Sequence, residues 1–364
     1  MRNILGNNLT LTLFGESHGE KIGCVIDGLC AGVKINYENI KNDLSKRRPQ
    51  STTETARVEA DNFNIVSGVF NGFSTGEPIC ILIDNTNVKS SDYEDIKNLA
   101  RPSHVDFSVY EKHHGFNDYR GGGHYSGRIT APIVAAGSII KDALKLKGIT
   151  INSHILKCGR AEDKSFDNCE NDVEILNKKD YPTILDIKDK IENEIINAKN
   201  NNDSIGGIIE TCVLGLKPGL GEPWFSSVEG MLSLGLFGIG GIKGVEFGKG
   251  FEFANLTGST ANDELENVNN NIVTKSNNNG GINGGITNGM PVIFRCAVKP
   301  TPSISKEQNT INLVTKENEI IKIKGRHDPS IIRRVLPVID AITAFVIADL
   351  LVTKEGTDTF RKQE

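Results

Sequence analysis

Apolar positions recur along the chain in two patterns. Short β-branched runs follow glycine turns, and a few longer runs are apolar on most sides of a helix. Gly72-Phe73-Ser74-Thr75-Gly76-Glu77-Pro78-Ile79-Cys80-Ile81 predicts a turn feeding a strand, and Gly285-Ile286-Thr287-Asn288-Gly289-Met290-Pro291-Val292-Ile293-Phe294 repeats that design. Asn36 is a good N-cap and predicts a helix over 37–46. Thr130 predicts a second helix, with Pro132 in its first turn, running to Lys147 and stopped by Gly148. Residues 131–140 are almost wholly apolar or small, so that helix should be buried on most sides. Asp328, with Pro329 after it, predicts the cap of a third helix reaching about Lys354. The most apolar late stretch, Ala341 to Val352, is too short to span a membrane and contains Asp349.

The two turn–strand segments form an internal echo. A weaker one links Asp27-Gly28 and Ala31-Gly32 to Leu214-Gly215 and Pro218-Gly219. Two strand–helix–strand units packed as pseudo-symmetric halves account for both, and chance likeness of Gly/Pro turns is the alternative. Residues 157–203 are rich in Lys, Asp, Glu and Asn, with a surface helix expected over 184–198 and a flexible loop over 269–281.

Composition narrows the function. The 364 residues carry a net charge of −5, with 38% hydrophobic and 24% charged residues, as in an ordinary soluble globular protein. An acidic chain disfavours nucleic acid, and an anionic substrate needs a local basic cluster. Seven cysteines without a CxxC pair read as reduced thiols of a cytoplasmic protein. The first residues have no signal-peptide apolar core.

The chemistry concentrates in loops. Arg120-Gly121-Gly122-Gly123-His124-Tyr125-Ser126-Gly127-Arg128 leads into the helix after Thr130, where free N–H groups and added positive charge suit a phosphate; a plain glycine turn is the bland reading. Arg47 and Arg48 end the first helix, where cations complement its dipole, and two arginine forks also suit carboxylate and phosphate groups. His18 and His104 lie in loops beside Gly or Pro, and a histidine near its ordinary pKa can protonate a departing phosphate. Asp328 reads as a cap first and a base second. Lys299, Thr301 and Ser303, on a loop stiffened by Pro300 and Pro302, suit a phosphate or ribityl chain, and glycine-dense 235–250 could pass close to a flat ring. No P-loop, GxGxxG, zinc spacing or GxSxG elbow occurs.

Taken in order, GESHG, RRP, RPSHVD, YRGGG, DSIGG, GLGEP, KGVEFG, GGINGGI, KPTPSI and GRHDP resemble the signatures of the chorismate synthases across nearly the whole chain. The resemblance implies one domain over 1–364, an α+β fold described as a β-α-β sandwich with a helical core between two antiparallel sheets, and a homotetramer. It implies conversion of 5-enolpyruvylshikimate 3-phosphate to chorismate and phosphate by a 1,4-trans elimination that needs reduced FMN. By motif, His18 would protonate the phosphate, His104 would sit by the flavin, and Asp328 would take the flavin N5 proton. His124, Tyr125, Ser126, Gly240, Gly241, Gly284, Lys299, Pro300, Thr301, Pro302, Ser303 and Arg326 fall at flavin-contact positions. Arg47, Arg48, Arg101 and Arg128 would hold substrate anions, and Arg47 also matches a position tied to NADPH. An outside flavin reductase is the other source of reduced FMN.

The chain departs from the family pattern in three places. His124-Tyr125 stands where Arg-Ser is common, Asp340 replaces a usual Glu, and Thr52-Thr53 lacks a common arginine. A non-catalytic flavin or phosphometabolite-binding protein is the competing reading; retention of His18, His104 and Asp328 speaks against it. A phosphoryl-transfer enzyme would need a carboxylate cluster for metal, which the sequence does not offer.

Overall fold

The computed structural model describes residues 3–49, 61–86, 97–323 and 327–361. Two five-stranded antiparallel sheets dominate. The first contains β1 (Ile4–Leu5), β2 (Thr10–Gly15), β3 (Lys21–Asp27), β4 (Phe63–Ser67) and β5 (Ile79–Asp84), in the order β1-β2-β3-β5-β4. The second contains β6 (Thr150–Cys158), β7 (Ala161–Glu162), β8 (Gly207–Leu214), β9 (Ile242–Phe247) and β10 (Val292–Val298), in the order β9-β10-β8-β6-β7. The strands that carry the sequence echo, β5 and β10, therefore each lie second from an edge. Both alternate: Ile79, Ile81 and Ile83 are buried in β5, and Val292, Phe294, Cys296 and Val298 in β10. Their two-residue period fits one face on a core.

The helices that matter for the site are α1 (Tyr37–Lys46), α2 (Asp106–Lys112), α3 (Thr130–Lys145), α4 (Cys169–Asn177), α5 (Lys188–Asn200), α6 (Val228–Leu236) and α7 (Ile332–Glu355). α3 packs against β2, β3 and β5 and also against β6; α7 packs against β6 and β8 and also against β2. Both central helices thus touch both sheets. Asn36 caps α1 as expected, accepting from the N–H groups of Glu38 and Asn39. α7 is long and apolar enough to cross a membrane by length and composition, but it is almost wholly buried within the fold. Its Asp349 carboxylate accepts the N–H groups of Asn7, Asn8 and Leu9 at 2.8–2.9 Å, tying the chain's first strands to the last helix. Asp340, the departure in this helix, accepts from Ser153, and burial pushes its carboxyl up.

Several boundaries differ from expectation. α7 begins at Ile332, with Ile331 in the cap position and no side-chain cap. Asp328 is therefore no N-cap; its carboxylate is taken by Arg334 of the helix instead. α3 includes Thr130 and ends at Lys145, before Gly148. The expected 184–198 helix runs over 188–200 with Ile191 and Ile195 buried, and α4 was not anticipated. Within 269–281, Asn271–Thr274 pairs with Leu265–Val268 in a hairpin, so that stretch is not a plain loop.

α3 and α7 cross where Gly137 meets Ala341. A Cβ on Gly137 would lie 2.3 Å from Ala341 Cβ and 2.6 Å from its Cα. Gly137→Ala should destabilise by about 1–3 kcal/mol, as overpacking does, and Ala341→Gly in the same chain should recover part of that loss. Thermal midpoints of the single and double variants check this; a neutral Gly137→Ala would contradict the crossing.

A second polar device sits inside the second sheet. His154 is fully buried, with Nδ1 3.0 Å from Asp163 Oδ2 and Nε2 3.1 Å from Glu210 Oε2. Burial alone would lower the imidazole pKa, but the two carboxylates outweigh it and raise it; Asp163 is lowered in turn, burial being outweighed by its hydrogen bonds from His154, Leu185 and Ile184. The His154 contribution is fully present below its unfolded pKa of about 6.5 and is lost as pH rises through the higher folded value. The thermal midpoint should therefore fall above neutral pH relative to His154→Gln, whose midpoint should stay flatter there. Parallel curves for the two proteins would contradict the imidazolium bridge.

Candidate active site

The end of β2 and the glycine turn before α3 dock on one another. Ser17 N–H donates to Gly123 O at 3.1 Å, and His124 Nδ1 donates to Gly15 O at 2.8 Å. Ser17 Oγ, 2% exposed, lies 3.1 Å from His18 Nδ1 and within 3.3 Å of the carbonyls of Arg120 and Gly121. His18 is thereby held at 8% exposure. Gly121 has φ +59°, and a Cβ there would meet His18 Cε1 at 2.3 Å. The next residue, Gly122, faces the other histidine: its Cβ position lies 3.6 Å from His104 Cε1 and 4.0 Å from Nε2. Two consecutive glycines thus bring His18 and His104 to one turn.

His104 sits in a web of charge. Its Nδ1 is 2.6 Å from Asp106 Oδ1, and Arg101 grips the same carboxylate through Nε and Nη2, each at 2.7 Å. A cavity of about 220 Å³ beside it is lined by Arg101, Asp106, Tyr110, Asp118, Tyr119 and Gly122 among others. Lys299 Nζ donates to Ser103 O at 2.6 Å, and Lys299 N–H to Gly241 O at 2.9 Å, so the KPTPS loop and the glycine-dense segment join the RPSH loop. Burial and the neighbouring Lys243 lower the Lys299 ammonium. Thr301 O accepts from Ser204 Oγ, while Thr301 Oγ1 is buried with no partner among the described residues. Pro300 packs at Gly206, and Pro302 and Ser303 are half-buried.

Asp328 joins from the other side. Ile205 N–H donates to Pro329 O, and a Cβ on Gly241 would lie 3.4 Å from Ile331 Cδ1. Arg334 holds Asp328 Oδ2 and donates from Nε to Arg47 O at 2.8 Å. Asp328 Oδ1 is buried with no hydrogen-bond partner among the described residues. His327, whose imidazole is lowered by burial and by the Arg101 charge, links this segment electrostatically to the RPSH loop.

Arg47 and Arg128 share one buried acid, Asp61, itself 5% exposed. Arg47 Nη2 also donates to Gly127 O and Thr130 Oγ1, and Arg128 donates to Asn85 Oδ1 and Asp84 O. Arg48 is half-buried beside them. Tyr125 OH meets His113 Nε2 at 3.0 Å, and Ser126 Oγ accepts from Arg128 N–H. Gly240 has open space where a Cβ would stand, as does Gly284. The turn of Gly284 packs instead through Gly285 on the loop leading into α6. Arg326 lies outside the described residues, as do Thr52 and Thr53.

Asp61, Asp106 and Arg334 were not singled out from the sequence. Asp106 stood inside the RPSHVD motif and was readable by its spacing from Arg101; Asp61 and Arg334 carry no local signal, because their partners come from distant segments.

Gly121→Ala should strain a left-handed position, at about 1–3 kcal/mol, and push His18 off Ser17. A lower thermal midpoint together with shifted His18 ring resonances is expected; an unmoved His18 would show that the turn does not hold it.

The comparisons agree over nearly the full chain. The family model described as chorismate synthase matches residues 9–352. A chorismate synthase of Pyrococcus abyssi is 44% identical over 95% of this chain and 96% of its own length, and one of Methanocella arvoryzae is 43% identical over 96% and 94%. A crystal structure of a chorismate synthase superposes with a TM-score of 0.75 at 28% identity, covering 96% of this chain and 94% of that one. With the motif loops gathered around His18 and His104 and this likeness extending from β2 into α7, the chain belongs to the chorismate synthase family.

Proposed function

We infer that the protein carries out the family's reaction, release of phosphate from 5-enolpyruvylshikimate 3-phosphate to give chorismate, as a carbon–oxygen lyase of aromatic biosynthesis. The observation that carries this reading is the convergence of His18 and His104 on Gly121 and Gly122. A protein that only bound flavin would not need both rings at one turn, so the binding-only reading is not favoured.

Three features fit reduced FMN as the cofactor. Asp328 Oδ1 is a buried acceptor open to a ring N–H, Thr301 Oγ1 is a buried hydroxyl open to a phosphate or ribityl group, and Gly240 leaves room for a flat ring. Bound there, reduced FMN supplies transient electron density for C–O cleavage, with no net redox change. The chain's own residues do the rest. His18 donates its proton to the leaving phosphate oxygen, and Asp328 Oδ1 accepts a proton while Arg334 holds the other carboxylate oxygen. His104 sets the protonation of the flavin edge. Arg47 and Arg128, which meet on Asp61 at the glycine turn, supply guanidinium forks suited to substrate anions. Arg48 and Arg101 complete the basic lining, and His124, Tyr125, Ser126, Gly241, Gly284, Lys299, Pro300, Pro302, Ser303 and Arg326 fill out the flavin-contact set.

Arg47, the position tied to NADPH by resemblance, is buried and engaged by Asp61, Gly127 and Thr130. Both NADPH at this site and an outside reductase stand as sources of reduced flavin. The layer order we propose is the β-α-β sandwich, supported by α3 and α7 touching both sheets. The pseudo-repeat is supported by matching order: β2-β3-β5-β4 with α1 after β3, and β6-β8-β10-β9 with α6 after β8. A homotetramer is supported by Trp224, Phe225 and Phe251, each 85% exposed or more. Seven free cysteines, six of them buried, suit the cytoplasm.

An anaerobic assay with dithionite-reduced FMN should yield chorismate and phosphate, whereas oxidised FMN alone should yield none; product without flavin would overturn the reading. His18→Ala and His104→Ala should each lower turnover by roughly 10²–10⁴-fold. Asp328→Asn should lose turnover, because an amide does not accept the proton, and since Asp328 caps no helix its thermal midpoint should fall only by the weakened Arg334 pairing, about 1 kcal/mol or less.

A further inference from the structure

We propose that Asp106 is the positioning residue of His104: it fixes the ring as the Nδ1–H form, with Arg101 clamping Asp106, so that Nε2 is the nitrogen offered at the Gly122 turn. This rests on the reading of His104 as a member of the reaction site. The geometry decides the tautomer. Nδ1 lies 2.6 Å from Asp106 Oδ1 and 3.0 Å from Arg101 Nη2. A guanidinium nitrogen only donates, so Nδ1 could in principle accept from it. A bare Nδ1 would then press its lone pair against a carboxylate oxygen at 2.6 Å, a repulsive contact. With a proton on Nδ1 the same distance is a charge-assisted hydrogen bond.

The carboxylate is built to stay ionised and still. Arg101 meets it with Nε at 2.7 Å, Nη2 at 2.7 Å and its own backbone N–H at 3.0 Å. Burial alone would raise the Asp106 pKa, but the hydrogen bonds from Arg101 and His104 outweigh it and hold the group well below the usual carboxylate range. Other charges around this cluster are Lys299, whose Nζ sits on Ser103 O, and His327, which feels Arg101. Arg101, placed by resemblance on a substrate anion, thus spends three donors on Asp106. The rival account is that Asp106 merely complements the N-terminus of α2, whose first residue it is and where no side-chain cap exists. That account gives Asp106 no hold over the His104 ring.

Long-range ¹H–¹⁵N spectra of the histidine-labelled full chain, without ligand, read the tautomer directly. The neutral His104 ring should carry its proton on Nδ1 in wild type and lose that preference in Asp106→Leu. With reduced FMN and substrate, Asp106→Leu should lower kcat about 10²-fold, as a misplaced group does, with a far smaller change in KM. Asp106→Asn keeps an acceptor oxygen without the charge, so it should keep the Nδ1–H form while the His104 limb of the pH–rate profile moves to lower pH. Asp106→Asn also decides the matter if Asp106→Leu does not fold. An Nε2–H ring in wild type, or an unmoved limb in Asp106→Asn, would overturn the proposal. If wild type forms no chorismate, the reaction assignment fails, while the spectra still judge the hold of Asp106 on the ring.

Discussion

The approach of α3 to α7 at Gly137 and Ala341 is the constraint on which the site depends. Gly137 has no Cβ to hold the helices apart, so the two backbones lie closer than larger residues permit. Each helix brings a loop to the same place at its N-terminus. α3 is preceded by the glycine turn with Arg128, and α7 by Asp328, whose partner Arg334 lies in the helix's first turn. Arg47, at the end of α1, fastens the two, donating to Gly127 O and Thr130 Oγ1 and accepting Arg334 at its carbonyl. Asp349 then locks the far half of α7 to residues 7–9, which lead into β2 and the His18 turn. A shift along α7 would therefore be felt at both histidines.

Arginine in this site is committed before any ligand arrives. Arg101 is paired with Asp106, Arg120 with Asp118, and Arg47 and Arg128 with Asp61. Such pairs add little to stability when exposed, and buried ones cost desolvation. Their return is orientation: a guanidinium already fixed in one plane loses little freedom when an anion binds.

The helices were readable to the extent that their signals were local. Asn36 and the apolar face of 131–140 gave α1 and α3 nearly to the residue. Asp328 misled because Asp-Pro is a common helix start, whereas here the carboxylate turns to Arg334 and α7 begins four residues on. α4 escaped because its polar sequence is helical through packing of Cys169 and Val173 on the small cluster with Phe166 and Cys212. The motif loops were legible as chemistry, but not their partners. Asp61 lies far in sequence from Arg128, and no periodicity connects them.

The glycine turn explains why this legibility stops where it does. Read as a string, Arg120-Gly121-Gly122-Gly123 suggests room for a phosphate at a helix start. In the fold, that room is already shared. Gly121 lets the turn close on the His18 ring, and Gly122 lets it pass beside His104. Gly123 supplies the carbonyl that receives Ser17 N–H. All three have positive φ, a backbone path that side chains would resist. The turn therefore brings two histidines from separate loops together, and glycine is required for a different reason at each step: the His18 ring fills the side-chain space at Gly121, the Asp118 carbonyl fills it at Gly123, and at Gly122 the positive φ alone disfavours a side chain.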